Sequence, residues 1–184
     1  MGEPRVPDPV LLVMAIFSRH PAALDWGREQ LERRFGPTAL TSPLLQFNQT
    51  RYYERSMGPD LQKQFLAFQK LVDAGSLAGA KRTTNELERE IASSGRFPDA
   101  RPLNVDPGRL TLGKFELATT KDQAHRVYLE EGVYAEVTLR FQDGSFTPWP
   151  WTYADYRQDA VLKFLVEARQ WYRLQLRQSS NSAS

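Results

Sequence analysis

HRVYLEEGVYAEVTLR, residues 125–140, decides how this chain folds. Two runs, HRVYL and VYAEVTLRF, alternate apolar and polar residues with period two, the mark of half-buried strands. Glu130-Glu131-Gly132 lies between them. A two-residue loop mixes the faces and sets Arg126 beside Val137. A three-residue loop sorts them: Val127, Leu129, Val133, Ala135, Val137 and Leu139 share one face with His125 at its end, and Arg126, Tyr128, Tyr134, Glu136 and Thr138 share the other. Gly132 falls where that hairpin wants a left-handed residue. A slip of one residue would expose the whole apolar set. The expected pairing therefore sets Arg126 opposite Glu136 and Tyr128 opposite Tyr134.

The stretch around the hairpin, Asn104 to Arg157, carries most of the side chains able to do chemistry. Downstream, Gln142-Asp143-Gly144-Ser145 reads as a turn, and Phe146 to Trp151 as an extended, proline-rich brace. Tyr153 to Gln178 is expected as the longest helix, with Val161, Phe164, Leu165, Ala168, Tyr172 and Leu176 as its inner stripe. Upstream, Leu110 to Thr119 reads as a strand, or as a short helix then a strand. Asp106-Pro107-Gly108 reads as a turn, since proline fixes φ and Asp106 can bond nearby amides. Leu103 to Val105 reads as a short strand. Thr83 to Ser93 is expected as a helix capped by Thr83 or Thr84. Pro59 to Asp73 is expected as a helix on the stripe Leu61, Phe65, Phe68, Leu71, Val72, closed by Gly75. Asn48 to Gly58 reads as a loop or irregular strand.

The chain opens with a β-α-β pattern. VLLVMAIFS, residues 10–18, is a continuous apolar run of strand length, fitting a strand buried on both faces. Pro21 to Phe35 has helical spacing, begins on a proline and ends at Gly36-Pro37. Ala39 to Phe47 is a strand weakened by Pro43. Residues 1–9 read as a flexible arm, 10–178 as one folded domain, and 179–184 as a disordered polar tail. These elements predict an α+β fold: a mostly antiparallel sheet packed against helices, with a hairpin meander and a long C-terminal helix.

The chain has 184 residues, net charge +2 and no cysteine. That size buries a core without staples. The absence of cysteine rules out disulfides and thiolate metal or redox sites. The small charge gives no strong nucleic-acid or membrane footprint, and the longest apolar run is too short to span a bilayer. The expectation is a cytoplasmic protein of undefined oligomeric state with no membrane partner, and with nucleic acid a weak candidate.

KRTTNELE (81–88), NVDPG (104–108), LATTKDQAHRVYLEEGVYAEVTL (117–139) and WTYADYR (151–157) together resemble a family of bacterial proteins, the domain of unknown function numbered forty-four sixteen. The resemblance runs over nearly the whole chain. WTYPDYR is common in that pattern, and here Ala154 takes the proline position. The family carries no established activity, so the resemblance implies no mechanism. Some members are labelled GTP-binding, but this chain has no GxxxxGK[ST] loop.

Three constellations point to chemistry. Lys81, Lys121, Arg126 and Arg157 are suited to cradle a phosphate or carboxylate, Arg through its planar fork and Lys as a point charge. Asp106, Glu136, Asp155 and His125 offer oxygen and imidazole ligands for a divalent cation, although no tight metal spacing is present. Tyr52, Tyr53, Tyr128, Tyr134, Tyr153 and Tyr156 offer rings that could stack a base or sugar. There is no nucleophile elbow and no GxGxxG fingerprint. The reading is a ligand-binding protein or enzyme for a small anion, a nucleotide or phosphorylated metabolite. Glu136, Asp155 and His125 are its candidate acid-base groups. Lys81, Asn85, Asp106, Lys121, Arg126, Tyr128, Tyr134, Tyr153 and Arg157 are its candidate ligand contacts. The alternative is a non-catalytic module that meets a protein or RNA through a basic-aromatic face. A deep pocket separates the first from the second.

Overall fold

Residues 10–18 carry no charged side chain, and they form the centre of the molecule. Every residue of strand β1 (Leu11–Ser18) is buried. The computed structural model describes residues 2–182, the side chains of 180–182 excepted; Met1 and residues 183–184, at the ends of the expected arm and tail, lie outside the described residues. After β1 come α1 (Pro21–Phe35), with proline in its first turn and Gly36 at φ 90° beyond its end, and then β2 (Thr38–Thr41) and β3 (Leu45–Gln46). The expected single strand from Ala39 to Phe47 is thus split around Pro43. A short helix, α2 (Glu54–Met57), follows in the segment read as a loop.

The helix expected over Pro59 to Asp73 is instead a strand, β4 (Gln62–Phe68). Leu61, Phe65 and Phe68 do fit one helical face by spacing. Leu66 and Ala67 between them are equally buried, however, which a one-faced helix does not need. β4 lies between β1 on one edge and β2 and β3 on the other. Both its faces are covered, so its residues lack the alternation that marks a half-exposed strand. Gly75 does not close a helix. It lies in the 3-10 turn Ala74–Ser76, where Asp73 accepts its N–H at 2.7 Å, and this turn leads into α3 (Leu77–Ser93). Thr84, expected as a cap, is buried inside α3 and bonds the Lys81 carbonyl.

The remaining strands are β5 (Asn104–Leu110), β6 (Lys114–Thr119), β7 (Val127–Glu130), β8 (Val133–Gln142) and β9 (Ser145–Pro148). The nine strands form one sheet in the order β2-β4-β1-β5-β6-β8-β7, with β3 also on β4 and β9 also on β8, and every ladder is antiparallel. The fold is therefore α+β, as the patterning implied. Asp106-Pro107-Gly108 is not a turn but the middle of β5, paired with Ala15, Met14 and Val13.

Helices cover both faces of the sheet. Leu12, Met14, Ile16, Leu66 and Val105 pack with Leu24 and Leu31 of α1 and Leu87 and Ile91 of α3. Val13, Ala15, Phe65 and Leu139 pack with Val161, Phe164, Leu165, Ala168 and Tyr172 of the last helix, α4 (Asp159–Ser182). The expected inner stripe of that helix is thus in place. Its start is not: residues Ala154–Arg157 form a separate 3-10 turn, and extended Gln158 divides it from α4. At its far end α4 continues to Ser182, into the stretch read as tail. Among the described residues no helix is long and apolar enough to cross a membrane.

The hairpin keeps the expected register but reaches it by another turn. Tyr128 faces Tyr134 and Val127 faces Ala135, which puts Arg126 level with Glu136. Glu130 pairs with Val133, so the turn is the two-residue Glu131-Gly132, at φ 45° and 75°, and Leu129 is the extra residue of a bulge. Two left-handed residues in a two-residue turn match the twist of the strands, and the bulge restores the faces that the shorter turn would have mixed. A second bulge, between β6 and β8, moves Leu139 to the α4 side, while Val133 and Ala135 pack with Leu77 and Ala78 of α3. The expected six-residue apolar face is therefore divided between the two layers.

Candidate functional site

β5 and β6 are paired only from Gly108 to Leu110, against Leu117 to Phe115, and beyond Gly108 they part. The sequence supplies the cause. Along an antiparallel strand the N–H groups alternate sides. The Val105 N–H points to the β6 side, because it donates to Glu88 Oε1 at 2.8 Å and not to β1. The nitrogen two residues on points the same way, and it belongs to Pro107, which has no hydrogen to give. At Gly108, where the strands are still joined, an added Cβ would lie 2.5 Å from Phe115 Cζ and 2.8 Å from the Glu116 carbonyl oxygen. The sheet is thus zipped tightly up to Gly108 and forked after it.

Helix α3 fills the place of the missing strand partner. Lys81, Asn85 and Glu88 recur at spacings of four and three, so they share one side of the helix. Glu88 takes the Val105 N–H and holds Arg101 Nη2 at 2.6 Å, and Lys81 Nζ donates to the Val105 carbonyl at 3.1 Å. Lys81 Nζ also comes within 3.7 Å of Asp106 Oδ1, on the opposite face of β5 from Val105, so this side chain reaches through the fork.

A cleft of about 510 Å³ opens in the fork. Lys63, Asn104, Asp155 and Tyr156 are its buried floor. Lys63 Nζ bonds Asp155 Oδ2 at 2.6 Å and lies within 6 Å of the ring centres of Phe17, Phe47, Phe65 and Tyr156. That is a cation held by one carboxylate and four ring faces. One wall is the pair Arg126–Glu136. Arg126 Nε bonds Glu136 Oε2 at 2.9 Å, Nη1 the Lys121 carbonyl and Nη2 the Tyr153 hydroxyl at 2.7 Å. Exposed Tyr52 and Lys121 form the rim, with Lys121 Nζ donating to the Tyr52 hydroxyl at 3.0 Å.

The third carboxylate, Asp106, differs from the other two. No hydrogen bond from a described residue reaches it, and its closest cation is Lys81. Burial pushes the Tyr53, Tyr153 and Tyr156 phenols above their ordinary value, and the negative charge of Asp106 adds to the rise in all three. The Lys121 hydrogen bond lowers Tyr52, helped by its charge and that of Arg101. Lys121 lies over the Tyr52 ring and Arg101 over the adjacent Tyr53 ring, so the two cations share one rim. The Asn104 amide nitrogen and the Tyr156 hydroxyl are buried without a partner among the described residues.

Eight of the expected site residues line this cleft: Lys81, Asn85, Asp106, Lys121, Arg126, Glu136, Tyr153 and Asp155. Four do not. Arg157 is taken up by the carbonyls of Trp149, Pro150 and Thr152, which it binds as a brace. Tyr128 and Tyr134 form an edge-to-face pair outside the cleft. His125 lies 3.3 Å from Glu136 but stacks on Trp151, in a hollow on the other side of the sheet with Val127 and Val137. Sequence reading missed Lys63, Arg101 and Asn104. Lys63 was hidden by the helix expected over β4. Arg101 lies just before Leu103–Val105, where a strand was expected, and Asn104 lies inside it, but only the fork gives them a shared cavity.

A split antiparallel sheet with a polar cleft in the split is the class of protein that this geometry defines. The chain belongs to the family described as Domain of unknown function (DUF4416), which matches residues 8–172. No curated protein and no solved structure matches it.

Proposed function

We propose that the fork binds a small anionic molecule, a phosphorylated metabolite or a nucleotide. The observation that carries the reading is the concave cleft with its excess of cations. Lys63, Lys81, Arg101, Lys121 and Arg126 line it, against Asp106, Glu136 and Asp155. Asp155 and Glu136 match Lys63 and Arg126, and Glu88 matches Arg101. Lys81 and Lys121 then face only Asp106, and each ammonium has donors to spare. The anion is assigned to Lys121, with Arg101 beside it on the rim and Lys81 adding its charge from within the cleft; Arg126 has all three nitrogens engaged and positions the wall. Asp106, the uncommitted carboxylate, is the candidate base or the first ligand of a divalent cation brought in with phosphate. Among the described residues no three His, Cys, Asp or Glu side chains gather for a metal. Metabolites of this kind are held inside cells, so a cytoplasmic setting belongs to the reading.

The test is thermal unfolding with inorganic phosphate, pyrophosphate, AMP and sugar phosphates, each with and without Mg²⁺. A ligand at 100 times its Kd stabilises the native state by about 2.7 kcal/mol. At least one phosphorylated compound is expected to raise Tm, and Lys81→Met with Lys121→Met is expected to abolish the rise. No shift with any of them, or a shift that survives both substitutions, overturns the reading.

One observation favours the second reading, a partner-binding module. β7 is an edge strand of the sheet, and Val127 and Tyr128 on it are 69% and 57% exposed. Edge strands with exposed apolar side chains are templates for a further strand. Val127→Lys is expected to abolish binding of a partner recovered on this edge and to leave every ligand shift at the cleft intact.

A further inference from the structure

We infer that the ligand of the fork is a sugar phosphate without a nucleobase: a phosphate monoester of a free sugar, seated with its phosphate at the Lys121–Arg101 rim and a hydroxyl on Asp106. The inference rests on the anion reading above and narrows it to one class.

The Asp106 side chain is 26% exposed and receives no hydrogen bond from a described residue. A bare phosphate placed against it would meet a like charge, so an anion alone suits the rim and not the middle of the cleft. What a carboxylate of this kind accepts well is a neutral O–H, through a charge-assisted hydrogen bond. The ligand is thus bipartite, negative at one end and hydroxylated at the other.

The floor requires the same chemistry. Asn104 and Tyr156 are each 1% exposed, and the amide nitrogen of one and the hydroxyl of the other have no partner among the described residues. A buried donor left unpaired costs roughly 1–3 kcal/mol, so such groups in a ligand cleft mark where ligand atoms belong. Asn104 needs an acceptor and Asp106 needs a donor. A sugar hydroxyl is both at once. Neighbouring hydroxyls on one ring can therefore serve the two residues together.

The aromatic side chains separate a sugar from a nucleobase. A flat base favours two parallel faces. Here Phe47 and Tyr53 are tilted by 49°, and Tyr52 stands edge-on to Tyr53 at 87°. Rings at such angles do not make a slot for a planar heterocycle, but they can bound the uneven C–H surface of a sugar. The volume, about 510 Å³, is within the range of small-metabolite pockets.

The test is a calorimetric comparison of inorganic phosphate, ribose 5-phosphate, glucose 6-phosphate, ribose and AMP on the wild-type protein and on Asp106→Ala, Asp106→Asn and Lys121→Met, each checked for its fold by circular dichroism. A sugar phosphate is expected to bind at least about tenfold more tightly than inorganic phosphate, and more tightly than AMP. Asp106→Ala is expected to remove that margin and leave inorganic phosphate bound as before or better, since it takes away a like charge. Asp106→Asn, which keeps the shape, is expected to lose most of the margin. Lys121→Met is expected to weaken phosphate and sugar phosphate alike. The inference is overturned if inorganic phosphate or AMP binds as well as the best sugar phosphate, or if the margin survives both Asp106 substitutions. If no phosphorylated compound binds at all, the anion reading fails and the inference with it, whereas phosphate binding without a sugar margin sinks the inference alone.

Discussion

The two ends of β5 belong to one strand and behave as two materials. From Gly108 to Leu110 the strand has a neighbour on each edge, with Phe115, Leu139 and Phe164 packed on its α4 face. From Asn104 to Pro107 it has only β1, and the groups that would have met β6 meet Lys81 and Glu88. The zipped half is apolar on its α4 face, and the ion pair of Arg109 with Glu116 closes across the ladder on the other face. The forked half holds ion pairs, unpaired polar atoms and a cavity. Removing one ladder from a sheet leaves backbone groups that must be satisfied. The side chains brought in for that task are polar, and they are what give the cleft its chemistry.

That contrast is sharpest in what single substitutions should do. Phe164→Ala in the zipped half is expected to cost about 3–5 kcal/mol, from lost transfer energy and an unfilled cavity, and to leave ligand binding to the folded protein unchanged. Asp155→Ala in the forked half is expected to cost as much, about 3–5 kcal/mol, for a different reason: it strands the Lys63 charge at a site 4% exposed. Urea unfolding measures both. Replacing the pair together, Lys63→Met with Asp155→Leu, should recover most of the loss, and failure to recover would show that the aromatic cage depends on the cation.

Gly108→Ala falls at the point where the halves meet. Its Cβ would press on the Phe115 ring and the Glu116 carbonyl, and the expected cost is about 1–3 kcal/mol. A neutral result would mean that the zip ends elsewhere. Tyr156→Phe has the opposite sign. It removes a buried hydroxyl without a partner, so the protein should gain on the order of 1 kcal/mol while binding the cleft ligand less well. A loss of stability would show that the hydroxyl is satisfied after all.

The smallest expected effects are in pH dependence, and the halves respond at opposite ends of the scale. In the zipped half burial raises the Glu116 carboxyl, but the Arg109 bonds outweigh it and hold it below its ordinary value. Its contribution is present above that ordinary value and is lost as pH falls through the lowered one. In the forked half the Tyr53, Tyr153 and Tyr156 phenols are raised by burial. Their contribution is complete below the ordinary value of 10.0 and is lost as pH climbs beyond it, because the unfolded chain ionises first. Glu116→Gln should flatten the acid limb of stability against pH, and Tyr156→Phe the alkaline limb, each leaving the other limb in place.

The sequence by itself determined the elements that see one environment on each face. β1 is apolar throughout because it is covered on both sides, and the α4 stripe recurs at three and four because a helix on a sheet buries one face. The register of Tyr128 with Tyr134 followed from period two alone, even though the turn and bulge that deliver it did not. Of the eight expected site residues that came together, Asn85 and Glu136 sit in elements whose type was read correctly, whereas Asp106 was expected in a turn and Asp155 in the long helix. Tertiary structure decided the rest. β4 looked helical because burial on both faces removes the alternation that would have marked it, and only the helices on the two sides of the sheet, α1 with α3 and α4, supply that burial. Pro107 looked like a turn because φ near −65° suits a turn as well as a strand edge. Whether its missing N–H ends a ladder depends on which strand lies beside it, and that strand is contributed by a different part of the chain. The cleft exists because of that pairing, so its chemistry is written along the chain but its place is set only by the sheet.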